Sequence, residues 1–291
     1  MQADNIDPTL TYPKHRNRLK NHIGNVIPIQ RYGATVLLFL FIVLISTNVT
    51  NAQTYKLIAH RGGVVDSLHT ENSLPALEAA VKQEYWMTEI DLRQTKDGVF
   101  ILQHERTLKN FGIDKPVTDM TWNEINLLKN RQGSKVITLN DALLICRGKM
   151  QVMIDNKIAG NDTVMFSKVV AMLKKYDLLT QALMIGTDES TEYFTGKIKL
   201  SCTIQQLQDN KQKHGFKAGD YYLFGGTDSM TAEDVAWANN EGIMVVGVVN
   251  RFRYLDSKNP SEAIAFDIKT LKSWGVKNFQ LDSEFSKYFG K

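Results

Sequence analysis

The sequence predicts an α/β fold: a (β/α)8 barrel of the TIM type that fills residues 53–291 as one domain. Three observations lead there. Short apolar runs of β type alternate about eight times with amphipathic helical segments, and an all-parallel sheet of that size needs helices as crossovers and cover. Polar and charged residues gather at the carboxyl ends of those runs, where barrel enzymes keep their sites. The first run leads into His60-Arg61-Gly62-Gly63, which lacks the GxGxxG spacing that the alternative, a doubly wound open sheet, would place there.

Tyr55–His60 reads as the first strand. Ser73–Gln83 follows as a helix, since Leu74, Leu77, Ala80 and Val81 recur at helical spacing and Asn72 or Ser73 stands ready to cap it. Trp86–Arg93 is a second strand and Val99–His104 a third, joined by the turn residues Thr95-Lys96-Asp97-Gly98. From Glu105 to Lys135 the chain is polar and loop-rich, with one helical piece at Trp122–Lys129. Helix Leu139–Cys146, strand Gln151–Asp155, helix Val164–Tyr176 and strand Ala182–Gly186 come next. Later pairs are fainter: strand Leu200–Ile204, helix Ala232–Asn239, strand Ile243–Val249, helix Ala263–Trp274 and strand Asn278–Asp282.

Residues 1–52 differ in character. Lys14, Arg16, Arg18, Lys20 and Arg31 face only Asp4 and Asp7, and an uncharged run from Ala34 to Ser46 follows. That run suits a signal-peptide core and falls short of the ~20 residues of a spanning helix. Thr50-Asn51-Ala52 offers a cleavage site before Gln53, while the long polar start also suits an uncleaved amino-terminal membrane anchor. No cysteine ends the apolar run, which argues against lipoprotein processing. Either way the barrel is expected to be exported, to a periplasmic or extracellular place, with membrane association through the leader if it stays attached.

Hydrophobic residues make up 43% of the 291 and charged ones 23%, which excludes disorder and low-complexity repeats. The net charge of +4 belongs mostly to the leader, so the body is close to neutral and calls for no nucleic-acid partner. Cys146 and Cys202 are too few for a disulfide framework and sit in apolar runs, as buried thiols do.

His60 and Arg61 close the first strand. On the second, Met87, Glu89, Asp91 and Arg93 share a face by period-two alternation. Two carboxylates at a barrel's mouth repel unless a cation lies between them, and their oxygens suit Ca²⁺ or Mg²⁺. The same pattern fits an ordinary charged edge strand with Arg93 pairing locally. His104 ends the third strand; by itself it fits a hydrogen-bonded rim residue. On the next strand Asp155 and Lys157 face the same way, as a third metal ligand and an anion contact or as a simple surface pair. Asp282 ends the last strand, placed to orient a neighbour. Together these residues line one rim, and the set suits phosphate-ester cleavage: cations stabilise phosphoryl charge and two imidazoles move protons.

The chain resembles the glycerophosphodiester phosphodiesterase family, whose members are (β/α)8 barrels. The matching residues are His60-Arg61-Gly62, Glu71-Asn72-Ser73, Glu89-Ile90-Asp91, Thr95-Lys96-Asp97-Gly98, His104, Asp155-Asn156-Lys157, Trp274-Gly275-Val276 and Asp282. The resemblance implies hydrolysis of a small-molecule glycerophosphodiester to sn-glycerol 3-phosphate and an alcohol. It casts His60 and His104 as acid and base, Glu89, Asp91 and Asp155 as ligands of one divalent cation (Ca²⁺ or Mg²⁺), and Arg61 and Lys157 as phosphate contacts. Glu71 either joins the site or serves the helix terminus.

Three departures from the family pattern stand out. Glu105 replaces the usual Asp after His104. Asp155 replaces the usual Glu, which is expected to shift the ion, admit a water or change the preferred metal. Gly247-Val248-Val249-Asn250 stands where Trp-Thr-Val-Asn is usual, and the lost indole is expected to widen the pocket. Two other readings compete: a phospholipase-D-type enzyme acting on choline phospholipids, and a non-catalytic exported protein that binds phosphodiesters.

Overall fold

Apolar residues at alternate strand positions bury one face of each strand inward and the other under helices, and the chain closes on itself by that rule. A computed structural model describes residues 54–290. The expected leader or anchor at residues 1–52 lies outside the described residues. The chain begins with β1 (Lys56–Ala59), α1 (Leu74–Lys82) and β2 (Met87–Gln94). An insert follows: β3 (Phe100–Leu102), β4 (Thr107–Leu108), β5 (Ile113–Pro116) and α2 (Trp122–Ile125). Regular alternation then resumes with α3 (Leu139–Cys146), β6 (Gln151–Asn156), α4 (Thr163–Lys175), β7 (Leu183–Ile185), α5 (Asp188–Phe194), β8 (Lys199–Cys202) and α6 (Ile204–Lys211). It ends with β9 (Tyr221–Gly225), α7 (Ala232–Asn240), β10 (Met244–Val249), α8 (Pro260–Ser273) and β11 (Asn278–Leu281).

Eight strands pair in the order β1-β2-β6-β7-β8-β9-β10-β11, and β11 returns to β1. Every one of these neighbours is parallel, which is the expected barrel. The seam is uneven. β1 matches β11 over four residue pairs but meets β2 only at Ile58–Met87 and Ala59–Thr88.

One expected barrel strand is not one. β3 folds back antiparallel on β2, pairing Leu102 with Leu92 and Phe100 with Gln94. The four-residue turn at Thr95–Gly98 requires this, because parallel neighbours need a crossover of about a dozen residues or more. The eighth barrel strand is instead β9, which the sequence reading passed over together with α5 and α6. The strand expected at Leu200–Ile204 stops at Cys202, where Thr203 caps α6 with its side chain.

The barrel interior holds Ile58, Met87, Met153, Leu183, Tyr222 and Val246, all at most 1% exposed. A larger core lies between strands and helices and includes Leu77, Ala80, Leu143, Val169 and Leu271. The insert has its own small core of Ile101, Leu108, Val117, Met120, Ile125 and Val136. Gly247 belongs to the outer layer: a Cβ there would sit 3.2 Å from Leu271 and Val276 and 3.3 Å from Phe279. Its small size therefore leaves the mouth unchanged, contrary to the expected widening. Cys146 and Cys202 are free and buried, and burial pushes their thiols up to about 12 and about 11. No helix among the described residues is long and apolar enough to cross a membrane.

Candidate active site

The interior residues Ile58, Met87 and Met153 each stand two positions before a polar one: His60, Glu89 and Asp155. Strand periodicity therefore lifts the polar side chains one layer up, at the carboxyl end of the barrel. After β1 the chain turns sharply. Arg61 takes φ 54°, followed by Gly62 at φ 81° and Gly63 at φ 134°. A side chain on Gly63 would meet the Ala76 carbonyl oxygen at 2.1 Å, so α1 leaves no room for one. The left-handed Arg61 carries a strain of ~1–3 kcal/mol, and its neighbours fix it there. Its amide donates to Glu89 Oε2 at 2.7 Å, and its carbonyl accepts from the Asn72 amide at 2.7 Å.

Three carboxylates converge. Glu89, Asp91 and Asp155 each offer an oxygen within 4.8 Å of the other two. Glu89 and Asp91 are 1% exposed, and Asp155 pairs with Asp91 across the β2–β6 ladder. Burial, then the charges of Asp91 and Asp155, hold Glu89 well above the usual carboxylate range. Burial raises Asp155 too, against the pull of Lys157. Acids so crowded and dehydrated fit a hard divalent cation, which the shorter side chain of Asp155 still allows. Asn72, expected only as a helix cap, grips Asp91 from two sides. Its Nδ2 donates to Asp91 Oδ2 at 2.8 Å, and its Oδ1 accepts the Asp91 amide at 3.2 Å. Ser73 caps α1 instead, its hydroxyl accepting the Ala76 amide at 3.4 Å.

Both histidines turn Nδ1 toward a carboxylate. His60 Nδ1 donates to Asp282 Oδ1 at 2.6 Å, which leaves its Nε2 4.0 Å from Glu89 Oε2. Asp282 is held by a second bond, from the Arg251 amide at 2.6 Å. Burial works against its charge, but the bond and charge of His60, the Arg251 amide and the Arg61 charge together outweigh that and leave Asp282 below the usual carboxylate range. His104 Nδ1 lies 3.0 Å from Glu105 Oε1, and Arg61 Nη2 lies 3.2 Å from His104 Nε2. A guanidinium only donates, so His104 Nε2 accepts and the ring proton belongs on Nδ1.

His104 arrives by a different route from the expected one. The antiparallel register of β3 carries it beside β2, where the Gln103 amide donates to the Asp91 carbonyl at 2.9 Å. Arg93 then clamps it: Nη2 donates to the His104 carbonyl at 2.6 Å and Nε to the Gln103 carbonyl at 3.1 Å.

Cationic side chains complete the rim. Arg61 Nη1 donates to Glu71 Oε2 at 2.7 Å, so Glu71 joins the site. Lys157 Nζ stands 2.5 Å from Asp155 Oδ2 and 3.5 Å from Asp91 Oδ1. Burial disfavours its charge, yet Asp155, Asp91 and Glu89 prevail and hold it above the ordinary lysine value. A cavity of about 570 Å³ opens beside His60, Arg61, Glu71 and Asp282. Every expected site residue thus lies at one end of the barrel. The roles of Asn72, Arg93 and Glu105 were not foreseen, because side-chain hydrogen bonds to a carboxylate, a backbone carbonyl and a ring nitrogen leave no periodic trace.

The profile of the Glycerophosphoryl diester phosphodiesterase family matches residues 60–261. A probable glycerophosphodiester phosphodiesterase of Mycobacterium tuberculosis is 34% identical over 103 residues, 35% of this chain and 38% of that protein. A lysophospholipase D of Mus musculus is 35% identical over 75 residues, 25% of this chain and 22% of that protein. The matches thus span well under half of either relative's length. A glycerophosphoryl diester phosphodiesterase crystal structure from Parabacteroides distasonis superposes with a TM-score of 0.67 at 20% identity, covering 83% of this chain and 88% of that one. An Oleispira antarctica phosphodiesterase, crystallised with the product sn-glycerol-3-phosphate, gives 0.63 at 18% identity, covering 81% and 97%. These structures share the barrel. Since the family profile takes in most of the chain, from the histidine that closes β1 to the start of α8, the chain belongs to the glycerophosphoryl diester phosphodiesterase family.

Proposed function

We propose that the protein hydrolyses glycerophosphodiesters to sn-glycerol 3-phosphate and an alcohol, using His60 and His104 as proton carriers and one divalent cation, Ca²⁺ or Mg²⁺, held by Glu89, Asp91 and Asp155. The observation that carries this reading is the buried acid trio set beside two imidazoles whose Nδ1 atoms are both occupied by carboxylates. His60 then presents Nε2 to the substrate, and His104 Nε2, which accepts from Arg61, is freed for it when Arg61 turns to the phosphate. One Nε2 takes the proton of the attacking oxygen and the other returns a proton to the departing alkoxide. The attacker is water or the neighbouring glycerol hydroxyl, which would pass through a cyclic phosphate. Arg61 and Lys157 bear on the phosphate oxygens. Asp282 and Glu105 fix the ring orientations, and Asn72 aims Asp91. A bound cation would neutralise the trio and withdraw charge from a non-bridging phosphate oxygen. The Oleispira antarctica relative bound to sn-glycerol-3-phosphate supports the product assignment.

The test is a panel of glycerophosphodiesters with coupled detection of glycerol 3-phosphate, run with Ca²⁺, Mg²⁺ and Mn²⁺. Release that needs a divalent ion and stops after EDTA is the expected result; full activity after thorough chelation would overturn the metal assignment. His60→Ala and His104→Ala should each cost ~10²–10⁴-fold in kcat. Near-normal turnover in both would remove the acid–base pair. Tight binding of the panel without release of phosphomonoester would point to a binding protein instead. The charged start and the apolar run at 34–46 support export behind a leader or anchor at 1–52, ahead of a barrel domain at 53–291. Comparing the size and amino terminus of the secreted or membrane-bound protein with the full chain tests that.

A further inference from the structure

Strand alternation puts Val152, Ile154 and Asn156 on the face of β6 that the helices cover. The first two are fully buried in that apolar layer, and Asn156, only 3% exposed, is a polar side chain beside them. An amide is costly in such a place unless its groups are bonded. Here they are. Asn156 Oδ1 accepts the Ile158 amide at 3.1 Å, while its Nδ2 donates to Ser190 Oγ at 3.2 Å and reaches the Ile158 carbonyl at 3.5 Å.

Ser190 is fixed in its turn. It is fully buried in the first turn of α5, where its hydroxyl accepts the Thr187 amide at 3.0 Å and donates to the Thr187 carbonyl at 3.2 Å. Only one lone pair is left, and it takes Asn156 Nδ2. That decides which way the amide faces, with its oxygen turned to the Ile158 N–H.

Lys157 lies between two anchors. Its own amide donates to the Leu92 carbonyl of β2 at 3.0 Å, and the peptide that follows it is the one Asn156 holds. The backbone is thus clamped on both sides of a long, flexible side chain whose Nζ stands 2.5 Å from Asp155 Oδ2 and 3.5 Å from Asp91 Oδ1. Resting on the hydrolytic reading above, we infer that Asn156, held by Ser190, is a positioning residue for Lys157: it aims the ammonium at the phosphate without touching the substrate. An apolar residue would fill the same place in the layer and leave Lys157 anchored on one side only. Phosphoryl charge grows toward the transition state, so the aim of this cation bears on kcat more than on KM.

The experiment is a double-mutant cycle on the full chain, with glycerophosphocholine, glycerophosphoethanolamine and glycerophosphoglycerol as substrates and Ca²⁺ or Mg²⁺ saturating. Asn156→Leu keeps the bulk and removes the amide. It should lower kcat about tenfold and change KM less, as a misplaced group does. In a Lys157→Met background the same change should alter kcat by less than about twofold, because nothing is left to aim. Ser190→Ala frees the amide without replacing it; it should show the same pattern at about threefold and serves if the leucine variant folds poorly. The affinity for sn-glycerol 3-phosphate, read by titration calorimetry, should follow the same cycle. Equal losses with and without Lys157 overturn the positioning role. So does a loss that excess cation restores, which would put the effect at Asp155, and so does an unchanged kcat in both single variants. Release from no member of the panel overturns the hydrolytic reading, and the role of Asn156 falls with it.

Discussion

Glu89 receives the Arg61 amide, stands below the His60 ring and shares its space with two more acids. Its raised folded-state pKa has a definite sign in stability. The protonated form is favoured on folding, so the contribution is fully present below the ordinary carboxylate range and is lost as pH rises through the raised value. Glu89→Gln keeps an oxygen for the Arg61 amide and removes the charge. The metal-free variant at neutral pH should therefore melt ~2–4 °C higher than the wild type, about 1 kcal/mol, while losing turnover. Calorimetry of both proteins in EDTA across pH checks it; a lower melting temperature for the variant would show that its charge is already well compensated. Protons compete with the cation for the same oxygens, so half-saturating Mg²⁺ should fall as pH rises. Glu89, Asp91 and Asp155 were legible because alternation fixes which face a strand residue takes once an apolar neighbour fixes the core side. The grip of Asn72 on Asp91 was not, since it depends on a left-handed residue (φ 51°) that only the folded turn reveals.

The turn between β1 and α1 and the hairpin between β2 and β3 do most to position the chemistry. Gly63→Ala would drive a methyl into the Ala76 carbonyl at a φ of 134°, with no flexible neighbour to yield. A loss of ~3 kcal/mol or more is expected, seen as a fall in Tm of about 6 °C or greater. A variant that melts normally would mean that α1 shifts freely. The hairpin shows where element prediction fell short. Val99–His104 was read as a strand, of which Phe100–Leu102 is one, and its tight turn already forbade a parallel neighbour. β9 was missed because Tyr221-Tyr222-Leu223-Phe224 is apolar without alternation, which strands and buried helices share. α6 was missed because Ile204 and Leu207 alone make no apolar stripe, and its capping by Thr203 with Gln206 is the stronger signal. Arg93→Lys keeps a charge but loses the forked donors that clamp two carbonyls. It should lower kcat more than it lowers Tm.

Across the closed barrel, the acids gathered at one end give the domain a candidate site through which a cation would be linked to folding. Ca²⁺ or Mg²⁺ at about 100 times its Kd should raise stability by ~2.7 kcal/mol, an increase in Tm of about 5–10 °C. Thermal melts with and without each ion read this directly, and an unchanged Tm would deny the trio a cation. The architecture itself was legible because eight parallel strands joined by seven crossovers over this length have few other ways to be buried. The pairing of His60 with Asp282 joins the first and last strands, residues 222 positions apart. During synthesis a nascent chain can carry both imidazoles and all three acids and still lack the carboxylate that sets one ring. On the proposed function, turnover is expected only after the final strand has emerged and closed the seam, and a carboxy-terminal truncation at Gly275 is expected to lack it.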